Sequence, residues 1–107
     1  MNKERLNQLI GLLKDDPKDS FLRYAVAKEY ENGDDLTQAL EEYLTILNND
    51  PDYVGMYYHL AKLYEKLDEN DKAIEIYAVG IQIAKKLSDF HALSELNSAK
   101  MNLEMEL

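Results

Sequence analysis

The sequence predicts an all-α fold of repeated helix pairs, an α-solenoid with about six helices. Two prolines and four glycines among 107 residues leave few helix breakers, and the abundant Leu, Ala, Glu and Lys favour helix. Shifting the sequence by 34 residues matches residues 16–49 to 50–83 at 11 identical positions. A period of this length is typical of proteins built from stacked helix pairs.

The two flanks supply further predicted helices. Residues 2–14 carry four apolar residues at helical spacing, namely Leu6, Leu9, Ile10 and Leu13. Residues 89–105 form another amphipathic stretch, and Ser88 or Asp89 before it suits an N-cap. We therefore expect a single domain over 1–107, composed of a capping helix in 1–15, a first repeat in 16–52, a second repeat in 53–87 and a capping helix in 88–107.

Each repeat is expected to fold as two helices joined by a tight turn. In the first repeat Gly33 suits the left-handed conformation that ends a helix. Asp35 followed by Gln38 resembles a capping box that begins the next helix. Leu67 stands in place of Gly33 in the second repeat, so its turn is expected to be built differently or to carry strain.

The residues that recur in both repeats fall at specific places. The second repeat reads Tyr57-x2-Leu60-Ala61-x2-Tyr64 and Ala73-x3-Tyr77, and the first reads Arg23-x2-Val26-Ala27-x2-Tyr30, Ala39-x3-Tyr43 and Pro51. This spacing resembles the tetratricopeptide repeat, W-x2-L-G-x2-Y followed by A-x3-F and a closing proline. The small alanines would let the paired helices approach closely. The resemblance implies an antiparallel helix pair per repeat and a non-catalytic role in protein–protein interaction.

Two positions depart from that pattern. Arg23 replaces the expected aromatic residue, and Lys85 stands where a second closing proline would fall. Without that proline the last helix of the second repeat is expected to continue to about Lys86 or Leu87.

Composition and motifs exclude several function classes. Twelve basic against twenty-one acidic residues give a net charge of −9, which disfavours nucleic-acid binding. Cysteine is absent, and no catalytic triad, metal motif or phosphate loop is present. No apolar run reaches the length of a membrane span, and the N-terminus lacks the apolar region of a signal peptide. We expect a cytoplasmic protein without cofactor, metal or enzymatic activity.

The resemblance implies that inward positions of the first helix of each repeat contact a partner. Helical geometry gathers six residues on these inner faces, namely Phe21, Tyr24, Lys28, Tyr58, His59 and Lys62. We expect them to line a groove for a peptide segment of a protein partner. The two lysines would favour an acidic segment or a C-terminal carboxylate. Alternatively, Tyr24 and Tyr58 serve only to pack adjacent first helices together.

The C-terminal segment carries alternating apolar residues, namely Met101, Leu103, Met105 and Leu107. On a helix these residues would divide between two sides, so one apolar side is expected to remain exposed. One interpretation is a capping helix with a frayed end. The other is a structural or assembly subunit that forms a weak homodimer through this helix.

Overall fold

The computed structural model describes residues 2–107, and all regular secondary structure in that part of the chain is α-helical. The helices are α1 Lys3–Asp15, α2 Ser20–Asn32, α3 Leu36–Asn49, α4 Gly55–Lys66, α5 Asn70–Leu87 and α6 Phe90–Glu106. They fall into two compact units, an N-terminal unit that ends at Asp50 and a C-terminal unit that spans Pro51–Leu107. The predicted all-α fold class is confirmed.

The N-terminal unit is organised around α2, which packs against both α1 and α3. Leu6 and Leu13 of α1 are buried together with Val26 of α2. Ala27 and Ala39 are fully buried in α2 and α3, as their places in the repeat predicted. The apolar sides of α1 and α2 therefore share a buried cluster, because an amphipathic helix buries only its apolar side.

The C-terminal unit is organised around α5, which packs against α4 and α6, while α4 also contacts α6. Tyr57 and Leu60 of α4 are fully buried. Gly80 of α5 lies where a Cβ atom would come within 2.7 Å of Tyr57 Cβ and 3.1 Å of Leu96 Cδ1. The absence of a side chain at this position therefore allows α5 to approach both neighbours.

The turns between paired helices differ from the prediction made for Gly33. Gly33 has φ −91°, and the next residue, Asp34, is left-handed at φ 60°. The second repeat builds the same turn, with Leu67 at φ −88° and Asp68 at φ 58°. Gly33 is therefore not the left-handed residue, and Leu67 is unstrained in a turn of the same construction. The expectation of a left-handed Gly33 and the expectation of a different or strained turn at Leu67 were both wrong. Aspartate tolerates the left-handed region because its short polar side chain can form local hydrogen bonds.

Helix ends follow local side-chain chemistry. Asp19, Asp35 and Asp89 cap α2, α3 and α6, each accepting a hydrogen bond from the backbone N–H three residues later. Such caps satisfy N–H groups that have no partner inside the helix. At the other end of α5, the helix continues to Leu87 as predicted.

The last helix, α6, is continuous to Glu106. Leu96, Ala99 and Leu103 are buried. Met101 and Met105, two of the alternating residues, lie outside this buried side, with 60% and 78% of their surfaces exposed. The predicted exposed apolar side is therefore present on α6.

Candidate partner-binding site

Three of the six predicted contact residues lie on α2. Phe21, Tyr24 and Lys28 follow one another at intervals of three and four residues, so they share a helix face. Phe21 is 65% exposed, whereas Tyr24 and Lys28 are half-buried. The ring of Tyr24 tilts against that of Tyr43 on α3, with 6.3 Å between centroids. The α2 face therefore combines one freely exposed ring with one that is held by the paired helix.

The other three residues lie on α4, where Tyr58 contacts both His59 and Lys62. The rings of Tyr58 and His59 meet edge to face with 5.4 Å between centroids. Lys62 Nζ lies 5.6 Å from the centroid of the Tyr58 ring, which is within the range of a cation–π contact. All three side chains are half-buried. The α4 face is therefore a packed aromatic and cationic cluster.

In each repeat, a hydrogen bond between a tyrosine of the second helix and a glutamate of the first lies next to the candidate contact residues. Tyr43 of α3 donates its hydroxyl hydrogen to the carboxylate of Glu31 on α2. Tyr77 of α5 donates in the same way to Glu65 on α4. In each repeat this bond ties the second helix to the first, next to the candidate contact residues.

This environment raises the pKa of both tyrosine hydroxyls. Burial, and then the hydrogen bond to Glu31, raises the pKa of Tyr43 far above its usual value. Burial and the bond to Glu65 do the same to the pKa of Tyr77. A phenolate at either position would be buried beside a carboxylate, and both effects oppose its formation. These two tyrosines therefore act as fixed hydrogen-bond donors.

Glu65 also changes the charge expected at the α4 face. Its Oε2 atom accepts the bond from Tyr77 and lies 3.6 Å from Lys62 Nζ. Lys62 thus belongs to an ion pair and a cation–π contact at once. An acidic partner group would have to share Lys62 with Glu65.

The sequence located the six candidate residues on two helix faces but missed the supporting pairs. Glu31 and Glu65 coincide under the 34-residue shift, and so do Tyr43 and Tyr77. The identity of both residue types in the two repeats was the only feature of the sequence that pointed to these pairs. It could not show that the two residue types bond to each other, because the pairing joins different helices.

Residues 2–107 offer neither a metal-binding cluster nor a membrane-spanning helix. No group of three or more His, Cys, Asp or Glu side chains in this range is placed to hold a metal ion. None of the helices described is both long and apolar enough to cross a membrane.

Solved structures of other proteins resemble this chain closely. A crystal structure of a tetratricopeptide repeat domain protein from Salinibacter ruber is 48% identical, with a TM-score of 0.77, over 80% of this chain and 96% of that one. A solution NMR structure of such a protein from the same organism is 48% identical, with a TM-score of 0.80, over 83% and 90% of the two chains.

A more distant protein shares the fold. A solution structure from Bordetella parapertussis has a TM-score of 0.81 at 22% identity, over 94% of this chain and 88% of that one. No protein-family model and no curated protein matches the sequence. The 48% identity to the Salinibacter ruber protein, over nearly all of that chain, agrees with the residue pattern of the two repeats. The chain belongs to the tetratricopeptide repeat family.

Proposed function

We propose that this chain is a non-catalytic protein-interaction module that docks a peptide segment of a partner. The contacts would come from the α2 and α4 faces, with Phe21, Tyr24, Lys28, Tyr58, His59 and Lys62. Membership of a family of helical interaction scaffolds supports the general role. The observation that carries the site is the Tyr58–His59–Lys62 cluster, in which Tyr58 contacts both other residues and all three are half-buried.

The chemistry of the two faces suits peptide recognition. Tyrosine offers a large amphipathic surface at a low cost in side-chain entropy. The contacts of Tyr24 with Tyr43 and of Lys62 with Tyr58 restrict these side chains before a partner binds. Restriction of this kind lowers the entropy lost on association. An acidic residue of the partner would add a charge contact with Lys28 or Lys62.

Selection from a displayed library of random peptides provides a ligand with which to test this proposal. The best peptide is then measured against Tyr24→Ala/Lys28→Glu and Tyr58→Ala/Lys62→Glu by fluorescence anisotropy. Each double variant should weaken binding by about tenfold or more, because it removes an aromatic contact and reverses a charge.

A matched control separates a local effect from a change in net charge. Lys85 is exposed on α5 and belongs to neither face, so Lys85→Glu should leave the affinity unchanged. Circular dichroism must show native helix content for every variant. Folded double variants that bind as tightly as the wild type would refute the assignment of the faces.

A second candidate function rests on α6. Phe90, Met101 and Met105 are spaced by eleven and four residues, so they share one side of the helix. They are 72%, 60% and 78% exposed. Methionine adapts readily to apolar partners, and an exposed apolar side of a helix favours self-association. This observation supports an assembly subunit that dimerises weakly.

Sedimentation velocity from about 10 to 200 µM distinguishes this second function, since weak dimers have dissociation constants in the micromolar range. The sedimentation coefficient should rise with concentration in the wild type and stay constant in Met101→Ser/Met105→Ser. A monomer across the whole range would remove the second candidate and leave peptide docking unaffected.

A further inference from the structure

The two repeats differ at an internal position that affects packing. Arg23 of α2 corresponds to Tyr57 of α4 under the 34-residue shift, and Glu42 of α3 corresponds to Ile76 of α5. Arg23 Nη1 lies 3.2 Å from Glu42 Oε2. Tyr57, in contrast, is fully buried. The first repeat therefore carries an ion pair where the second carries an aromatic and an aliphatic side chain.

Arg23 and Tyr57 make equivalent hydrogen bonds in the two repeats. Arg23 Nη2 donates to the carbonyl oxygen of Pro17 at 3.0 Å. The Tyr57 hydroxyl donates to the carbonyl oxygen of Pro51, which is the matching residue of the second repeat. The loop before each first helix is thus held by the same kind of bond. The guanidinium of Arg23 therefore makes the bond that the tyrosine hydroxyl makes in the second repeat.

A cavity of about 300 Å³ lies beside Arg23, between α1, α2 and α3. Its apolar lining includes Ile10 and Leu13 of α1 and Val26 of α2, and Leu13 and Val26 are buried core residues. We call this cavity the Arg23 pocket. Its volume lies at the lower end of the roughly 300–1,000 Å³ range of small-molecule sites, which suits one large side chain.

Charge at the Arg23 pocket is positive. Lys14 and Arg23 line it together with a single carboxylate, that of Glu42. Glu42 already pairs with Arg23, while Lys14 is exposed. In a chain with a net charge of −9, a locally positive site selects for a negatively charged ligand.

We propose that the Arg23 pocket receives an aromatic side chain of a partner peptide that carries a carboxylate next to it. An aromatic side chain is compatible with this part of the repeat, because Tyr57 is buried at the position that Arg23 holds in the first repeat. Aromatic residues are frequent anchors in pockets of this kind. Lys14 provides the cation for the neighbouring carboxylate. The Arg23 pocket lies within the N-terminal unit and is independent of the docking proposed for the α2 and α4 faces.

The test uses 3-(4-hydroxyphenyl)propionate, which combines a tyrosine ring with a carboxylate. Methyl groups of Ile10, Leu13 and Val26 are followed by NMR during titration of the full chain. Saturable shifts are expected with a dissociation constant in the millimolar range for a fragment of this size. Tyramine has the same ring with a cation, and butyrate has the carboxylate without a ring. Both should bind at least about tenfold more weakly.

Two variants connect this binding to the Arg23 pocket. Arg23→Tyr should weaken or abolish the methyl shifts, because residue 23 lines the pocket and the variant places an aromatic ring there. Lys14→Glu changes only an exposed residue, so the fold is retained. It should weaken the propionate by about fivefold or more and strengthen tyramine, since the sign of the local charge reverses. Lys85→Glu should change neither ligand.

Three results would overturn the proposal. One is the absence of saturable shifts at Ile10, Leu13 and Val26 with the wild-type chain. Another is equal binding of the propionate and butyrate, which would show that no ring is recognised. The third is unchanged binding by Lys14→Glu, a measurement that remains decisive even if Arg23→Tyr fails to fold.

Discussion

Tyr43 and Tyr77 each place a hydroxyl group against a glutamate of the preceding helix. A neutral phenol can donate this hydrogen bond, and a phenolate cannot. Both tyrosines are fully buried, and the pKa of each is raised for that reason first. The repeated Tyr–Glu pair is therefore stable only while the tyrosine is protonated.

Alkaline pH should consequently destabilise the protein. In the unfolded chain tyrosine ionises with a pKa of about 10, whereas folded Tyr43 and Tyr77 retain their protons at that pH. Their contribution to the free energy of unfolding is complete below pH of about 10 and is lost as the pH rises further. The loss approaches about 1.4 kcal/mol per pH unit for each tyrosine.

Urea unfolding between pH 8 and about 11.5 measures this dependence, since the window spans the ordinary tyrosine pKa. The double variant Tyr43→Phe/Tyr77→Phe should lose less stability than the wild type over the same range. Equal slopes in the two proteins would contradict the proposed role of the Tyr–Glu pairs.

Gly80 offers a second test with a matched control. Gly80→Ala should lower the free energy of unfolding by about 1–3 kcal/mol, because the new methyl group would overlap the Cβ of Tyr57. Gly11 lies in α1 with open space around it. Gly11→Ala should therefore raise the free energy by about 0.5–1 kcal/mol through its higher helix propensity. Chemical denaturation of both variants gives the comparison, and equal effects would show that α5 does not approach α4 closely.

At the scale of single elements, α1 joins its unit partly through charge. Glu29 of α2 is 8% exposed and pairs with Arg5 of α1 at 3.3 Å. The corresponding residue of the second repeat, Leu63, is fully buried. An ion pair thus occupies a place where the same repeat pattern also accommodates an aliphatic side chain.

Glu29→Leu is expected to stabilise the chain by about 1 kcal/mol. The attraction between a buried carboxylate and its cationic partner seldom compensates fully for the hydration energy that the carboxylate loses on burial. Arg5 is 64% exposed along its side chain, so water can solvate it after the change. Glu29→Ala should be less stable than Glu29→Leu by about 2 kcal/mol because it leaves a cavity. Thermal and urea unfolding provide the values. A Leu variant as unstable as the Ala variant would show that α1 requires the ion pair.

The helices were predictable from sequence because apolar periodicity and aspartate caps act locally. The end of α5 at Leu87 also followed from a local feature, the lysine in place of a closing proline. The conformation of the turn at Gly33 was not predictable in this way. The left-handed residue is Asp34, which follows Gly33. A glycine in the sequence indicates only where a left-handed conformation has the lowest energetic cost.

The candidate site was predictable to a smaller extent. Helical spacing placed Tyr24 with Lys28, and Tyr58 with Lys62, on shared faces. The ion pair between Lys62 and Glu65 depends on side-chain conformation, which spacing does not determine. The cavity beside Arg23 depends on how α1 packs against α2 and α3, and no sequence pattern encodes that volume.

Across the whole molecule, net charge is a poor guide to the proposed contact surfaces. The chain carries −9 overall, and many of its acidic residues are exposed in turns, including Asp34, Asp35, Asp68 and Glu69. The α2 and α4 faces instead carry half-buried lysines beside aromatic rings. Many acidic side chains thus lie in the turns, whereas the two lysine-bearing faces are where we propose that an acidic segment binds.

Docking of a partner peptide on the α2 and α4 faces can be mapped residue by residue. The isotope-labelled chain is titrated with a library-selected peptide and followed by NMR at every backbone amide. We expect the largest saturable shifts on residues 21–28 and 58–62, with small changes along the exposed side of α5. Shifts concentrated on α6, or spread evenly over all helices, would contradict docking on these two faces.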